Sequence, residues 1–225
     1  MFDRLELLIG KDNLDKIMTK NILVVGCGGV GGSTILSLVR SGIKSITVVD
    51  FDKVVLSNLN RQEVAYISTI GKYKVDAIKD IILDINKDVN VNSVNLFLDE
   101  SNIKELFDNN KFDYVIDCCD SLKTKEALIL ECINRNIKII SSCGAGFRMH
   151  PEMLKIMPLS KTSNDPIARI LRKWAKDNHI NKKIMVMCSE EAPIGKGSPI
   201  ASNSFVPPVA GYLLTSYVIN DIINN

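Results

Sequence analysis

Apolar and polar positions along this chain switch between two periods. Ile22 to Val25 form a short continuous apolar run, and Val30, Ile35, Leu38 and Val39 recur behind it at helical spacing. Gly26, Gly28, Gly29 and Gly31 stand at the junction, so the segment reads as strand, glycine turn and helix. The alternation then continues. Ser45 to Val49 reads as a strand ending in Asp50, Lys72 to Ile85 as a helix, Val89 to Phe97 as a strand and Ser101 to Asn109 as a short helix. Phe112 to Cys118, Ser121 to Arg135 and Ile137 to Ser142 add a strand, a helix and a strand.

This βα repetition predicts an α/β protein. Its sheet should be Rossmann-like, mostly parallel and doubly wound, with helices on both faces and the ligand at the carboxyl ends of the strands. The expected organisation is a single domain with an N-terminal helical segment (1–20), a nucleotide-binding core (21–145) and a smaller C-terminal subregion (146–225). In that subregion Asn164-Asp165-Pro166 starts a helix whose apolar stripe is Ile167, Ile170, Leu171 and Trp174. The apolar stretch Phe205 to Ile219 contains two prolines and falls short of the roughly 20 residues that span a bilayer. A helix packed on the sheet or on a partner subunit is expected there, with no membrane span.

Glycine suits the first turn because the chain must bend sharply and let a phosphate approach the backbone, while the helix N-terminus offers free N–H donors. Up to Asp50, which stands where a carboxylate meets ribose hydroxyls, the pattern by itself favours a nicotinamide- or flavin-binding domain. The residues beyond Asp50 point to ATP. Asp52, Asn58, Asn60, Arg61 and Gln62 crowd one loop, and Lys74 comes shortly after Gly71. A triphosphate attacked at its α-phosphate develops charge that calls for cations and a carboxylate-held metal. Arg61 and Lys74 supply the first, and Asp120 or Asp52 the second. No G-x-x-x-x-G-K-[ST] loop is present.

The glycine turn, Asp50-Phe51-Asp52, Asn58 to Gln62, Gly71 to Lys74 and Asp117 to Asp120 together resemble the ATP site of the superfamily of ubiquitin-activating, molybdopterin- and thiamine-biosynthesis adenylyltransferases. The resemblance implies that Lys74 and Arg61 bind phosphates, that Asp50 binds ribose and that Asp120 holds Mg2+. It also implies a homodimer in which Arg4 reaches the other subunit's nucleotide site. One departure is Ser121, where many members carry Asn. Cys143 to Pro151, Leu159 to Arg172, Val186 to Pro193 and Ser204 to Gly211 resemble, more narrowly, the bacterial tRNA threonylcarbamoyladenosine dehydratases. These use ATP to activate the nucleoside's carboxylate and close it into a cyclic form with net loss of water. Two alternatives stay open: adenylation of the C-terminal glycine of a ubiquitin-like sulfur carrier, and an NAD-binding oxidoreductase or non-catalytic nucleotide module.

Composition trims these readings. The net charge of +2 excludes RNA binding through bulk charge, so a local patch must serve. The face of the Asn164-Asp165-Pro166 helix offset from the stripe carries Arg169, Arg172, Lys173 and Lys176, which reads either as a tRNA backbone contact or as a solvated face. The six cysteines include no C-x-x-C pair, so no zinc is expected. Cys118, Cys119 and Cys132 suit buried positions, while a reactive role for Cys143 or Cys188 stays open. Free thiols and a charged N-terminus without a secretory pattern suit a cytoplasmic protein. The resemblance leaves room for a sulfur-transfer protein as a further partner.

Overall fold

A computed structural model describes all residues, 1–225. Its centre is a seven-stranded sheet formed by β1 (Asn21–Val25), β2 (Ser45–Asp50), β3 (Asn90–Asn95), β4 (Tyr114–Asp117), β5 (Lys138–Ser142), β6 (Leu154–Pro158) and β7 (Met185–Ser189). The order is β3-β2-β1-β4-β5-β7-β6, and every neighbouring pair is parallel except β6 with β7. The chain winds one way from β1 to β3 and the other way from β4 onward, so the switch point lies between the carboxyl ends of β1 and β4.

Alternation along β1 explains the two faces. Ile22 and Val24 join a core cluster with the helices α3 (Gly29–Arg40), α4 (Lys74–Ile85) and α8 (Val206–Asn224). Leu23 and Val25 point the other way, into a cluster with α5 (Ile103–Asp108) and α6 (Leu122–Arg135). A third cluster seats α7 (Pro166–Asp177) on β7 and α6. The N-terminal segment forms two helices, α1 (Asp3–Ile9) and α2 (Lys11–Met18), broken at Gly10 with φ +82°.

Helix α8 tolerates Pro207 and Pro208 because they fall in its first turn, where no intrahelical N–H is required. It lies against α3 so closely that a Cβ on Gly211 would sit 2.5 Å from the Val30 carbonyl oxygen. Thr215 Oγ1 donates to the Thr34 carbonyl at 3.2 Å across the same contact. No helix is long and apolar enough to cross a membrane.

Two sequence expectations shift at their ends, and a third changes its buried face. β3 stops at Asn95 because Leu96, Phe97 and Leu98 leave the sheet to line a cavity. Helix α4 starts at Lys74 because Gly71 has φ +88° and Tyr73 is extended, bridged to Lys53. On α7, Ile170 is 42% exposed and departs from the expected stripe, its place inside taken by Ala168.

Asp117 ends β4 with no exposure and is held by Lys125 Nζ at 3.1 and 3.0 Å, Ser141 Oγ at 2.6 Å and Cys119 N at 3.1 Å. Burial alone would lower the Lys125 pKa, but Asp117, with Cys119 and Cys143, outweighs it and holds the ammonium above its usual range. Breaking a buried pair from one side strands the other charge, which costs roughly 3–5 kcal/mol. Lys125→Met should therefore lower the unfolding free energy by about that much. Denaturant titration checks it, and a loss near zero would show that the pair is not a structural tie.

Candidate active site

The carboxyl ends of β1, β2 and β4 open into a cavity of about 520 Å³. Its floor depends on two glycines. Gly26 turns the chain at φ +96°, and a Cβ there would meet the Cys118 carbonyl oxygen at 2.8 Å. Gly31 lies one turn into α3, where a Cβ would come within 1.8 Å of the Gly26 oxygen. Gly31 thus packs the helix onto the turn and does not line the cavity, whereas Gly26, Gly28 and Gly29 do. Gly28 is the N-cap of α3 and offers no side-chain cap, which leaves the first N–H groups of the helix free for an anion.

The expected polar residues converge on this cavity. Asp50, Asp52, Asn58, Arg61, Gln62, Lys74 and Asp120 all line it. Asp50 accepts Cys27 N at 2.6 Å through one oxygen and Asp52 N at 2.8 Å through the other, keeping second lone pairs for hydroxyl donors. Burial pushes its carboxyl above the usual range, while Lys74 and the two N–H donors pull against that shift. Lys74 is 6% exposed, and its Nζ lies 2.8 Å from Asp52 Oδ2. Arg61 is fastened through one terminal nitrogen, Nη1, to the Ser57 carbonyl and Asn60 Oδ1, at 2.8 and 2.9 Å. Asn58 is buried and braces its own turn by accepting Val55 N at 3.1 Å. Gln62 is buried with its Oε1 unpartnered.

Asp120 is exposed at the mouth and makes no ion pair or hydrogen bond. Ser121 next to it caps α6, accepting Thr124 N at 3.3 Å. Beside the polar groups stand Phe51 and Phe97, an edge-to-face pair with ring centroids 4.9 Å apart, together with Leu96 and Leu98. An anion cradle, a hydroxyl acceptor and an apolar shelf in one cavity suit a nucleoside phosphate.

The remaining expected residues lie elsewhere. Arg4 is exposed on α1, without an ion pair and outside the cavity of its own subunit. On α7, Arg169, Lys173 and Lys176 are exposed, but Arg172 folds back, with Nη1 bonded to the carbonyl and hydroxyl oxygens of Thr162. No group of three or more His, Cys, Asp or Glu side chains is arranged to hold a metal. Burial pushes the Cys118 and Cys188 thiols up to about 12 and about 11, and those of Cys27, Cys119, Cys132 and Cys143 upward as well. None of them is poised as a thiolate nucleophile.

Sequence reasoning missed a wall of the cavity. Ala145, Gly146, Pro199, Ile200 and Ser202 line it from two loops that carry no apolar periodicity, and none of these five residues is charged. The proximity of Gly144 to Gly146, after the strand β5, was the available signal.

Fold and site define a nucleotide-binding α/β protein with an anion cradle at the switch point. The ThiF family model matches residues 2–192, and the chain belongs to that family. It is 37% identical to the tRNA threonylcarbamoyladenosine dehydratase of Bacillus subtilis, over all of this chain and 95% of that protein. It is 31% identical to the molybdopterin-synthase adenylyltransferase of Haemophilus influenzae, over 74% of this chain and 66% of that one. Among solved structures, the E. coli tRNA N6-threonylcarbamoyladenosine dehydratase in complex with ATP superposes with a TM-score of 0.93 at 30% identity, covering 99% of this chain and 93% of the other.

With Asp50 in the ribose-binding role expected of it, its raised pKa predicts a pH dependence of nucleotide affinity. Because the shift is upward, protonation sets in at a pH where an ordinary aspartate is still ionised, and a neutral carboxyl accepts ribose hydroxyls less well. ATP affinity measured by calorimetry should fall as pH drops toward that range, and Asp50→Asn should remove this limb. An unchanged limb in the variant would dismiss Asp50 as its source.

Proposed function

We propose that this chain is an ATP-dependent tRNA threonylcarbamoyladenosine dehydratase that works through a carboxyl adenylate. The observation that carries the reading is the full-length likeness to proteins of that name, joined to a cavity whose cations and free helix N–H groups suit a triphosphate.

The chemistry needs activation because hydroxide leaves a carboxyl group poorly. A carboxylate oxygen of the nucleoside attacks the α-phosphorus of ATP, the bond to the bridging oxygen breaks, and pyrophosphate departs. A neighbouring nitrogen then attacks the acyl carbon, loses its proton, and AMP leaves with the former carboxylate oxygen. The net result is loss of one water from the nucleoside. Lys74 and Arg61 stabilise charge on the phosphates, the α3 N-terminus receives them, and Asp50 orients the ribose. Holding nitrogen and acyl carbon together supplies up to roughly 7–11 kcal/mol of the barrier.

Asp120 suits Mg2+, a hard ion commonly held by one or two carboxylates beside phosphate oxygens and water. Bound there, the ion would neutralise charge on the phosphates. The same reading includes a homodimer. Leu7 and Leu8 are 88% and 81% exposed on α1, which buries no residue of its own, and Arg4 on this helix is the residue expected to reach the partner's site. Sedimentation that returns only a 25.0 kDa species would remove the dimer. A cytoplasmic setting agrees with six unpaired cysteines, and a sulfur-transfer partner belongs to the reading through family likeness alone.

Incubation with ATP, Mg2+ and tRNA bearing threonylcarbamoyladenosine, followed by nucleoside mass spectrometry, should detect ATP-dependent loss of one water. Intact nucleoside with ATP bound would turn attention to proteins ending in glycine. Lys74→Ala should reduce adenylate formation by about 100-fold or more, as removal of a charge-stabilising donor does. Retained activity would count against the assigned site.

Of the α7 cations, Arg169, Lys173 and Lys176 keep their charges in solvent, and we place tRNA phosphate contacts there. Arg169→Glu with Lys173→Glu should weaken tRNA binding and flatten its salt dependence while ATP affinity holds. Unaltered tRNA binding would return this helix face to plain solvation.

A further inference from the structure

Three motifs of the second half contribute no charged side chain to the cavity: Cys143 to Pro151, the start of α7 and the end of β7. They meet in one buried cluster. Arg148, Asp165 and Glu191 are 2%, 3% and 7% exposed. Arg148 donates to the Glu191 carbonyl, to the Asn164 carbonyl at 3.3 Å and to Asp165 Oδ2 at 3.4 Å. The same Asp165 carboxylate caps α7 through Ala168 N at 2.8 Å and receives Gly144 N at 3.1 Å. Glu191 Oε2 accepts both Met149 N and His150 N at 3.0 Å. The chain from Gly144 to His150 is therefore fixed at both ends by buried charge.

Its middle carries the wall of the cavity. Phe147 N donates to the Ala201 carbonyl and Ile194 N to the Phe147 carbonyl, each at 2.9 Å, so the loop from Ile194 to Ala201 closes on a single residue. Asn203 Nδ2 reaches the Arg148 carbonyl at 2.8 Å, and Asn60 Nδ2, from the nucleotide loop, reaches the Ser202 carbonyl at 3.1 Å. Gly146 faces Ile200 so tightly that a Cβ on Gly146 would lie 2.2 Å from Ile200 Cγ2. Ile200 itself is 59% exposed while lining the cavity. Burial in the core does not account for its position, and an exposed apolar side chain offered to the cavity from a loop separate from the Phe51, Leu96, Phe97 and Leu98 shelf suits an unpaired base or an aliphatic group. Unstacked RNA bases are recognised on such surfaces.

We propose that this wall is the acceptor side of the site: Ile200, seated by Gly146, contacts the nucleoside whose carboxylate is activated. Arg148 is a positioning residue that holds the wall through Asp165 and Glu191. The proposal rests on the dehydratase reading and deepens it, because it separates the part of the cavity that selects the RNA from the part that binds ATP.

The test measures ATP affinity by calorimetry and steady-state dehydration of threonylcarbamoyladenosine-bearing tRNA. Ile200→Ala, at an exposed position, and Gly146→Ala, which expels Ile200, should each raise KM for tRNA roughly tenfold, the scale of a lost apolar contact. ATP affinity should stay within about twofold, the range of a contact outside the nucleotide's reach. Arg148→Met should show the same split, with partial recovery in Arg148→Lys. Unchanged tRNA kinetics in Ile200→Ala and Gly146→Ala would overturn the wall's role, and a matched loss of ATP affinity would assign the wall to the nucleotide instead. A lower Tm for Arg148→Met with normal kinetics would reduce Arg148 to a structural residue. No water loss with the unsubstituted chain would overturn the dehydratase reading and this proposal together.

Discussion

The mouth of the site hangs from a carboxylate that meets no water. Asp117 is tolerable at zero exposure only because Lys125 neutralises it while Ser141 and the Cys119 backbone fill its remaining acceptor sites. Those donors come from α6, β5 and the loop beyond β4, so one charge ties three elements together. With the Cys118 backbone fixed, Gly26 can approach its carbonyl to a distance that no side chain would permit. That approach sets where the glycine turn lies, the turn sets the start of α3, and α3 in turn receives α8 at Gly211. The nucleotide cradle is thus the last link of a series that begins in the interior.

Much of this was legible from short-range signals. The continuous apolar run Ile22 to Val25, the helical spacing behind it and the βα alternation that follows pointed to the doubly wound sheet, and the glycines between run and helix marked the turn. Asp50, Arg61, Lys74 and Asp120 lie in compact motifs next to strand ends, so the topology alone delivers them to one cavity. Asn58 stood in the same motif and lines the cavity too, but its Oδ1 also braces its own turn, which a local pattern does not announce.

What was hidden depends on contacts between distant segments. Lys123 and Lys125 look equivalent in sequence, and only helix phase against the sheet decides that Lys125 is the one taken inside. Ile170 and Ala168 trade places on α7 because the helix packs through a small residue against β7 and α6. Arg172 reads as a surface cation, yet it lies within reach of Thr162 and is spent there. The Arg148, Asp165 and Glu191 cluster joins positions with no common period, and a loop closed on Phe147 has no pattern to announce it.

The ion pair between Lys74 and Asp52 has a consequence for how anions compete. A cavity built to receive phosphates would hold an uncompensated ammonium when empty, a costly thing at 6% exposure. Asp52 removes that cost by standing in as a resident anion at 2.8 Å. On the proposed reading, entry of a phosphate at Lys74 would exchange one negative partner for another and release Asp52, whose side chain is 49% exposed, toward solvent. The affinity gained at this lysine would then be a difference between two ion pairs, and the buried ammonium would never stand without a partner.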